Sequence, residues 1–253
     1  MEKTYKEKEW LQKKYIDDKL SAMDISKIFK VNITTILYWL RKNNIPVRSN
    51  AEAQHLICGN HCNPSQEAIE WLNGELLGDG CLGSRYKYSA SFWYGSKYLE
   101  YIEYVRDTLK SFGIEQAGKI YKIYHKKFGC YSYHYVSRVY PELLPVYKQW
   151  YPEGKKVIPK NLKITPLTLR QHYIGDGCLV HQRPGNGNPY IVLSTCGFLL
   201  NDIREYVKKI NKLGFKTGIY KSKCISISAY STKDFLEYIG ICPVKCYEYK
   251  WSY

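Results

Sequence analysis

The sequence contains no apolar run of about 18 residues, the length a membrane-crossing helix needs. Its first ten residues, MEKTYKEKEW, are charged and lack the apolar core of a secretory signal. The chain starts with Met rather than a nucleophilic Cys or Ser and ends at Tyr253 rather than in His-Asn, so it does not read as a complete intein. The regular paired clusters of a structural zinc site are missing as well. The nine cysteines are odd in number and scattered; His55, Cys58, His61 and Cys62 crowd together, with Cys242 and Cys246 as a distant pair. We expect reduced, half-buried cysteines in an intracellular protein, in the cytoplasm, the nucleoid or an organelle.

Acidic residues are also scarce. Asp and Glu number 23 against 38 Lys and Arg, a formal charge of +15 spread along the 253 residues. An excess too even to be one basic tail suggests a polyanionic partner, and nucleic acid is the usual one. The competing explanation is codon bias: an AT-rich genome raises Lys, Ile, Asn and Tyr together, and Tyr occurs 26 times. With 45% hydrophobic residues the chain can bury a core.

The first fifty residues read as helices, with apolar Trp10, Leu11, Tyr15 and Ile16 in the first. Asp24 is the expected cap of a short helix holding Ile25, Ile28 and Phe29. Val31 and Asn32 make a turn, and Thr34 to Lys42 forms the next helix, closed by Pro46. This is the helix-turn-helix pattern, expected as a domain at 1–50. Asn32, Thr34, Thr35, Tyr38 and Arg41 then lie on or near its exposed face, where short polar and basic side chains suit a major groove. A helical hairpin with no DNA role is the alternative. A Ser-, Asn-, Gly- and Pro-bearing linker is expected at 51–65.

The remainder repeats itself. EWLNGELLGDGCL at 70–82 returns as TLRQHYIGDGCL at 168–179, and YIEYVRDTLKSFG at 101–113 as DIREYVKKINKLG at 202–214. RPGNGNP, within 180–190, reads as a hairpin tip. Alternating stretches between the helices read as strands. The expected class is α+β: two αββαββα repeats, at 66–160 and 161–253, related by a pseudo-two-fold axis within a monomer.

In the first repeated helix Gly74 and Gly78 share a face that admits another helix. Asp79 follows at the C-terminus, with Gly80 expected in the left-handed conformation. A carboxylate there opposes the helix dipole, and the arrangement recurs at Asp176. If the helices pack side by side, both acids meet and repel unless a cation neutralises them. Oxygen ligands favour a hard ion such as Mg²⁺. The alternative is a pair of ordinary Asp-Gly turns.

WLNGELLGDG and LRQHYIGDG resemble the two signature helices of single-chain LAGLIDADG homing endonucleases. The resemblance covers 66–253 and includes WYPEGKKVIPKNLKITPLTL and CPVKCYEYKW, similar to the intron-encoded branch. It implies metal-dependent cleavage of both strands of a long DNA target, each half laying a four-stranded saddle into the major groove. It implies that Asp79 and Asp176 are the catalytic acids and bind Mg²⁺, with Mn²⁺ able to substitute and the backbone of Gly78 and Gly175 beside them. Basic residues aid such sites; Lys156 is the first candidate, Lys245 the second, and Lys250 reads as structural. Ser96 and Lys97 end a strand where the family often places a polar, water-orienting residue, whereas the second repeat has Gly197 and Phe198 there. The second helix departs from the pattern with Gln171 in place of a small residue, flanked by Arg170 and His172. Either the seam is looser or Gln171 bonds across it.

Candidates for reading DNA on the strands are Arg85, Lys87, Lys97, Lys119, Lys122 and Lys126 in the first repeat. In the second they are His181, Gln182, Arg183, Asn188, Lys221 and Lys223. Lysines mostly position on phosphate, while Arg, Gln and Asn more often specify bases. The same fold and charge suit an RNA maturase acting on intron RNA, or a regulator that binds DNA without cutting. Two intact acids favour cutting.

Overall fold

The computed structural model describes residues 4–50, 52–53, 59–86, 88–181, 188–220 and 222–253, without the side chain of Tyr86. His55, Cys58, Lys87, Gln182, Arg183, Lys221 and most of the expected hairpin tip lie outside the described residues. The chain divides into two compact units, Met1–Asn60 and His61–Tyr253. No helix among the described residues is long and apolar enough to cross a membrane.

In the first unit α1 (Lys8–Gln12) runs on into a π-helical turn, followed by α2 (Ala22–Phe29) and α3 (Ile33–Lys42). Their amphipathic spacing buries Leu11, Tyr15, Ile25, Ile36 and Leu40 in a common core. The cap of α2 is Ser21 rather than Asp24. Ser21 Oγ accepts from Asp24 N at 3.0 Å, while the Asp24 carboxylate, one turn in, accepts from Ser21 N at 3.1 Å. The Ser-x-x-Asp spacing closes a reciprocal box that an Asp cap would leave half made. Asn32 caps α3, its Oδ1 accepting from Thr34 N at 3.0 Å.

The second unit repeats one plan. First come α4 (Gln66–Leu77), β1 (Cys81–Tyr86), β2 (Ser89–Ser96), α5 (Leu99–Ser111), β3 (Tyr121–His125), β4 (Cys130–Val136) and α6 (Leu144–Trp150). Then come α7 (Pro166–Asp176), β5 (Gly177–Val180), β6 (Tyr190–Leu193), α8 (Leu200–Lys212), β7 (Thr217–Ile219), β8 (Ile225–Ile227) and α9 (Ala229–Ile239), closed by a 3₁₀ helix, Lys245–Trp251. The sheets are antiparallel and equivalent, in orders β1-β2-β4-β3 and β5-β6-β8-β7. The αββαββα reading of each half therefore matches.

Each sheet is two-faced. On β2, Ala90, Phe92 and Tyr94 enter the core, while Trp93 and Gly95 alternate to the outer side. The helices α4 and α7 are interior: α4 buries Trp71, Leu72, Leu76 and Leu77, and α7 buries Leu169, Tyr173 and Ile174, all in one core. Their N-termini are capped by Ser65 and Thr165.

The seam between these helices depends on glycine. A Cβ on Gly74 would lie 2.6 Å from Thr168 O and 2.7 Å from Gln171 Cβ. A Cβ on Gly78 would lie 3.3 Å from Gly175 Cα, and one on Gly175 3.3 Å from Gly78 Cα, so backbone meets backbone. Gly80 is not left-handed as expected. Its N–H turns back instead to Glu75 O at 2.9 Å. Gly74→Ala should lower unfolding stability by about 1–3 kcal/mol, the usual range for overpacking a rigid contact, measured by urea denaturation. An unchanged midpoint would mean that the seam gives way without strain.

Candidate active site

The touching glycines bring Asp79 and Asp176 to one end of the seam. Asp79 N lies only 3.3 Å from where a Gly175 Cβ would stand. Neither carboxylate has a hydrogen bond or ion-pair partner among the described residues. Asp176 is half-buried, and Asp79 opens to solvent on one side although the surrounding protein still desolvates it. Burial, then repulsion from Asp79, pushes Asp176 up to about 6. Burial also raises Asp79, against the opposing pull of Lys250 and Lys156.

Two lysines serve the two helix ends in equivalent ways. Lys156, from the loop after α6, donates to Gly80 O at 2.8 Å and Gly78 O at 3.1 Å. Lys250, in the closing 3₁₀ helix, donates to Ile174 O at 2.5 Å, with Tyr173 O and Gly175 O at 3.4 Å. Ammonium groups on the terminal carbonyls satisfy orphan acceptors and oppose the negative dipole end. Burial lowers both lysines, and the nearby acids act in the opposite direction. Lys245, the second lysine candidate, is exposed, and its backbone N–H donates to Glu100 at 2.8 Å. Lys250 therefore takes the place expected of Lys245. The sequence offers only the three-residue spacing of Tyr247 and Lys250 in YEYKW, which the closing 3₁₀ helix turns inward together.

Below the acids lies a buried polar cluster. Glu75 is fully buried and accepts from Tyr101 Oη at 2.6 Å; burial raises its carboxyl to about 8. Gln171 bonds across the seam. With its amide oriented to satisfy both ends, Nε2 donates to Glu75 at 3.1 Å while Oε1 accepts from Trp71 Nε1 and Tyr104 Oη at 2.9 Å. Gly74 supplies the space Gln171 needs. His172 is a buried core histidine held neutral, bonded to Tyr206 Oη at 2.9 Å and driven down to about 3 by burial.

Other candidates scatter. Ser96 is buried, 3.3 Å from Tyr247 Oη and accepting from Tyr98 N at 3.1 Å; Lys97 beside it is exposed. Phe198 is buried near Trp150. Arg85, Lys119, Lys126, His181, Asn188 and Lys223 are exposed on strands or turns of the two sheets. Lys122 faces the helix side of its sheet rather than the outer side, with Nζ 3.8 Å from the Tyr131 ring centroid. Strand alternation puts Tyr121 and Ile123, not Lys122, on the outer face. In the first unit Thr34, Tyr38 and Arg41 are exposed at helical spacing, Thr35 is half-buried, and Asn32 is engaged as a cap. No cluster of three or more His, Cys, Asp or Glu side chains able to hold a metal occurs among the described residues. His61 instead pairs with Glu142 at 2.8 Å.

Residues 69–235 match the model of the LAGLIDADG DNA endonuclease family. No curated protein matches the chain. Among solved structures, the fold is similar to the homing endonuclease I-WcaI bound to its DNA recognition sequence. That similarity has 18% identity and a TM-score of 0.64, and covers 83% of this chain and 96% of that one. I-DmoI in complex with DNA and Mn aligns over 68% of this chain and 97% of its own, at 14% identity and a TM-score of 0.42.

The raised acid has a stability consequence. The folded value for Asp176, about 6, lies above its ordinary 3.8. Ionised Asp176 therefore costs stability above pH 6, and that cost fades as pH falls through 6 toward 4. Asp176→Asn should gain on the order of 1 kcal/mol near pH 7.5, with the gain shrinking toward pH 5 in thermal melts. A gain that grows on acidification would contradict this electrostatic picture.

Proposed function

This chain belongs to the LAGLIDADG DNA endonuclease family, a family of DNA-cleaving hydrolases, and we propose that it cuts both strands of one long, asymmetric duplex target as a monomer. One observation carries the reading: two carboxylates without an ion-pair partner among the described residues, Asp79 and Asp176, stand at adjoining helix ends that touch through glycine.

The donor set fits a hard divalent cation. It is all oxygen, it is negatively charged, and its charge is unneutralised by any ion pair among the described residues. Mg²⁺, with Mn²⁺ able to substitute, would be held by Asp79 and Asp176 with waters and DNA phosphate, supplying Lewis-acid stabilisation and a more acidic water, while the Gly78 and Gly175 carbonyls face Lys156 and Lys250 instead. The protein's own contribution is positional. The glycine contact fixes the spacing of the acids before DNA arrives. Lys156 and Lys250 hold the helix ends and relieve repulsion between them.

The two sheets supply the main DNA surface, and the first unit supplies additional contacts through Thr34, Thr35, Tyr38 and Arg41. Two linked DNA-binding units raise affinity by effective concentration. Different residues on the two repeats suit an asymmetric target.

Cleavage of a randomised duplex library with Mg²⁺ tests this reading. Wild type should cut one sequence class, and Asp79→Asn and Asp176→Asn should bind it without cutting. Specific binding with no cleavage by wild type would support a DNA-binding regulator, and preference for structured RNA an RNA maturase; either would sink the endonuclease reading. The lysine assignment has its own test. Lys250→Met should slow cleavage by about 10-fold or more in protein whose thermal melt remains cooperative, whereas Lys245→Met should stay within about twofold. Equal effects would remove Lys250 from the site.

A further inference from the structure

The outer face of the first sheet carries a feature that the charge pattern does not reveal. His125 Nε2 lies 2.6 Å from Ser132 Oγ, and Ser132 Oγ lies 2.7 Å from His134 Nε2. All three side chains stand on the outer side, together with Tyr121 and Ile123. That face begins at Cys81, two residues after Asp79, and so adjoins the acids.

The imidazole of His134 is held from two sides. The Tyr121 ring stacks on it at 5.2 Å and an angle of 15°. Gly95, its cross-strand partner, leaves the space that the ring fills: a Cβ there would sit 2.9 Å from Cε1 and 3.0 Å from Nδ1. Burial and the neighbouring His125 lower the His134 pKa, which keeps the ring neutral at pH 7.

The hydrogen-bond arithmetic is restrictive. Ser132 has one hydrogen to donate. Donating to Nε2 of one histidine and accepting from Nε2–H of the other is the arrangement that uses the hydroxyl hydrogen within the relay; accepting from both rings would leave that hydrogen outside it. The first ring then carries its proton on Nδ1 and the second has a bare Nδ1. The pair thus presents one donor and one acceptor, and reversing the Ser132 hydroxyl exchanges the two roles together. No other hydrogen bond is formed by Nδ1 of either ring among the described residues.

We propose that His125, Ser132 and His134 form a specificity-determining relay that reads two adjacent bases of the first half-site jointly, through base edges in the major groove. Those edges differ in their donor and acceptor patterns, which is the property a coupled donor–acceptor pair discriminates. The proposal rests on the duplex-DNA reading above and deepens it. The second repeat does not share the device. Strand pairing aligns Val192↔Ser226 with Trp93↔Val136, so Cys224 occupies the His134 position. The relay therefore belongs to one half of the target only.

The test is a binding selection from a randomised duplex library, run without divalent metal on the full chain and its Ser132→Ala, Ser132→Thr and His134→Phe variants. Wild type should enrich a site containing one adjacent pair of positions whose bases are chosen together. Ser132→Ala should lose that joint choice, reducing discrimination there by about fivefold, and leave preferences elsewhere in the site intact. Ser132→Thr keeps the hydroxyl and should retain the joint choice; His134→Phe should abolish it. An unchanged profile for Ser132→Ala overturns the relay, and so does an even loss at all positions, which is what a phosphate contact or a folding defect produces. A site enriched by wild type but not cut when metal is added would count against the endonuclease and leave the relay standing. Failure to enrich any duplex overturns both.

Discussion

Gly78 and Gly175 let the backbones of two interior helices touch, and the placement of the acids depends on that contact. A Cβ on either glycine would stand 3.3 Å from the facing backbone, so the helix ends that carry Asp79 and Asp176 would have to give way to admit it. Close approach concentrates two negative dipole ends and two carboxylates in one place, which is unfavourable by itself. Lys156 and Lys250 answer the dipole by capping the carbonyls, and burial together with the repulsion from Asp79 makes Asp176 hold its proton more tightly. Such stored repulsion suits a cation site, where binding relieves it.

The polar cluster beneath is arranged around the same seam. Gln171 looks like a flaw in a helix that should present a small residue. In three dimensions it is the partner of Gly74: one side gives up a side chain and the other fills the space with an amide bonded to Glu75, Trp71 and Tyr104. A buried amide with satisfied donors and acceptors fixes register more narrowly than an apolar contact of equal size. The two helices are therefore asymmetric in chemistry while remaining symmetric in path.

The same asymmetry extends to the sheets. Both have the same strand order, but the first carries histidines, tyrosines and serines on its outer face where the second offers Cys224 and Ser226. Lysines dominate the charge of the chain, yet on β3 the lysine turns to the helix side and packs over Tyr131. Net charge indicates the class of partner. On the proposed reading, the His125, Ser132 and His134 side chains on the outer face add the sequence discrimination that net charge does not supply.

Local and repeated features were legible in the sequence. The duplicated GDGCL motif located both acids, and helical and strand periodicities gave the αββαββα order, because these depend on residues near one another in the chain. The first unit's helix pair followed from apolar spacing, although its cap shifted from Asp24 to Ser21, since caps depend on geometry within a single turn. Only the tertiary structure decided which lysine serves the second helix end. Lys245 and Lys250 are close in sequence and equally basic, and the selection between them comes from the 3₁₀ helix that turns Lys250 toward Ile174 O. Tertiary structure also decided the face on which Lys122 stands, the burial of Ser96, and the convergence of His125, Ser132 and His134. Each depends on strand register, which pairs residues distant in sequence, and a shift of one residue would reverse every facing.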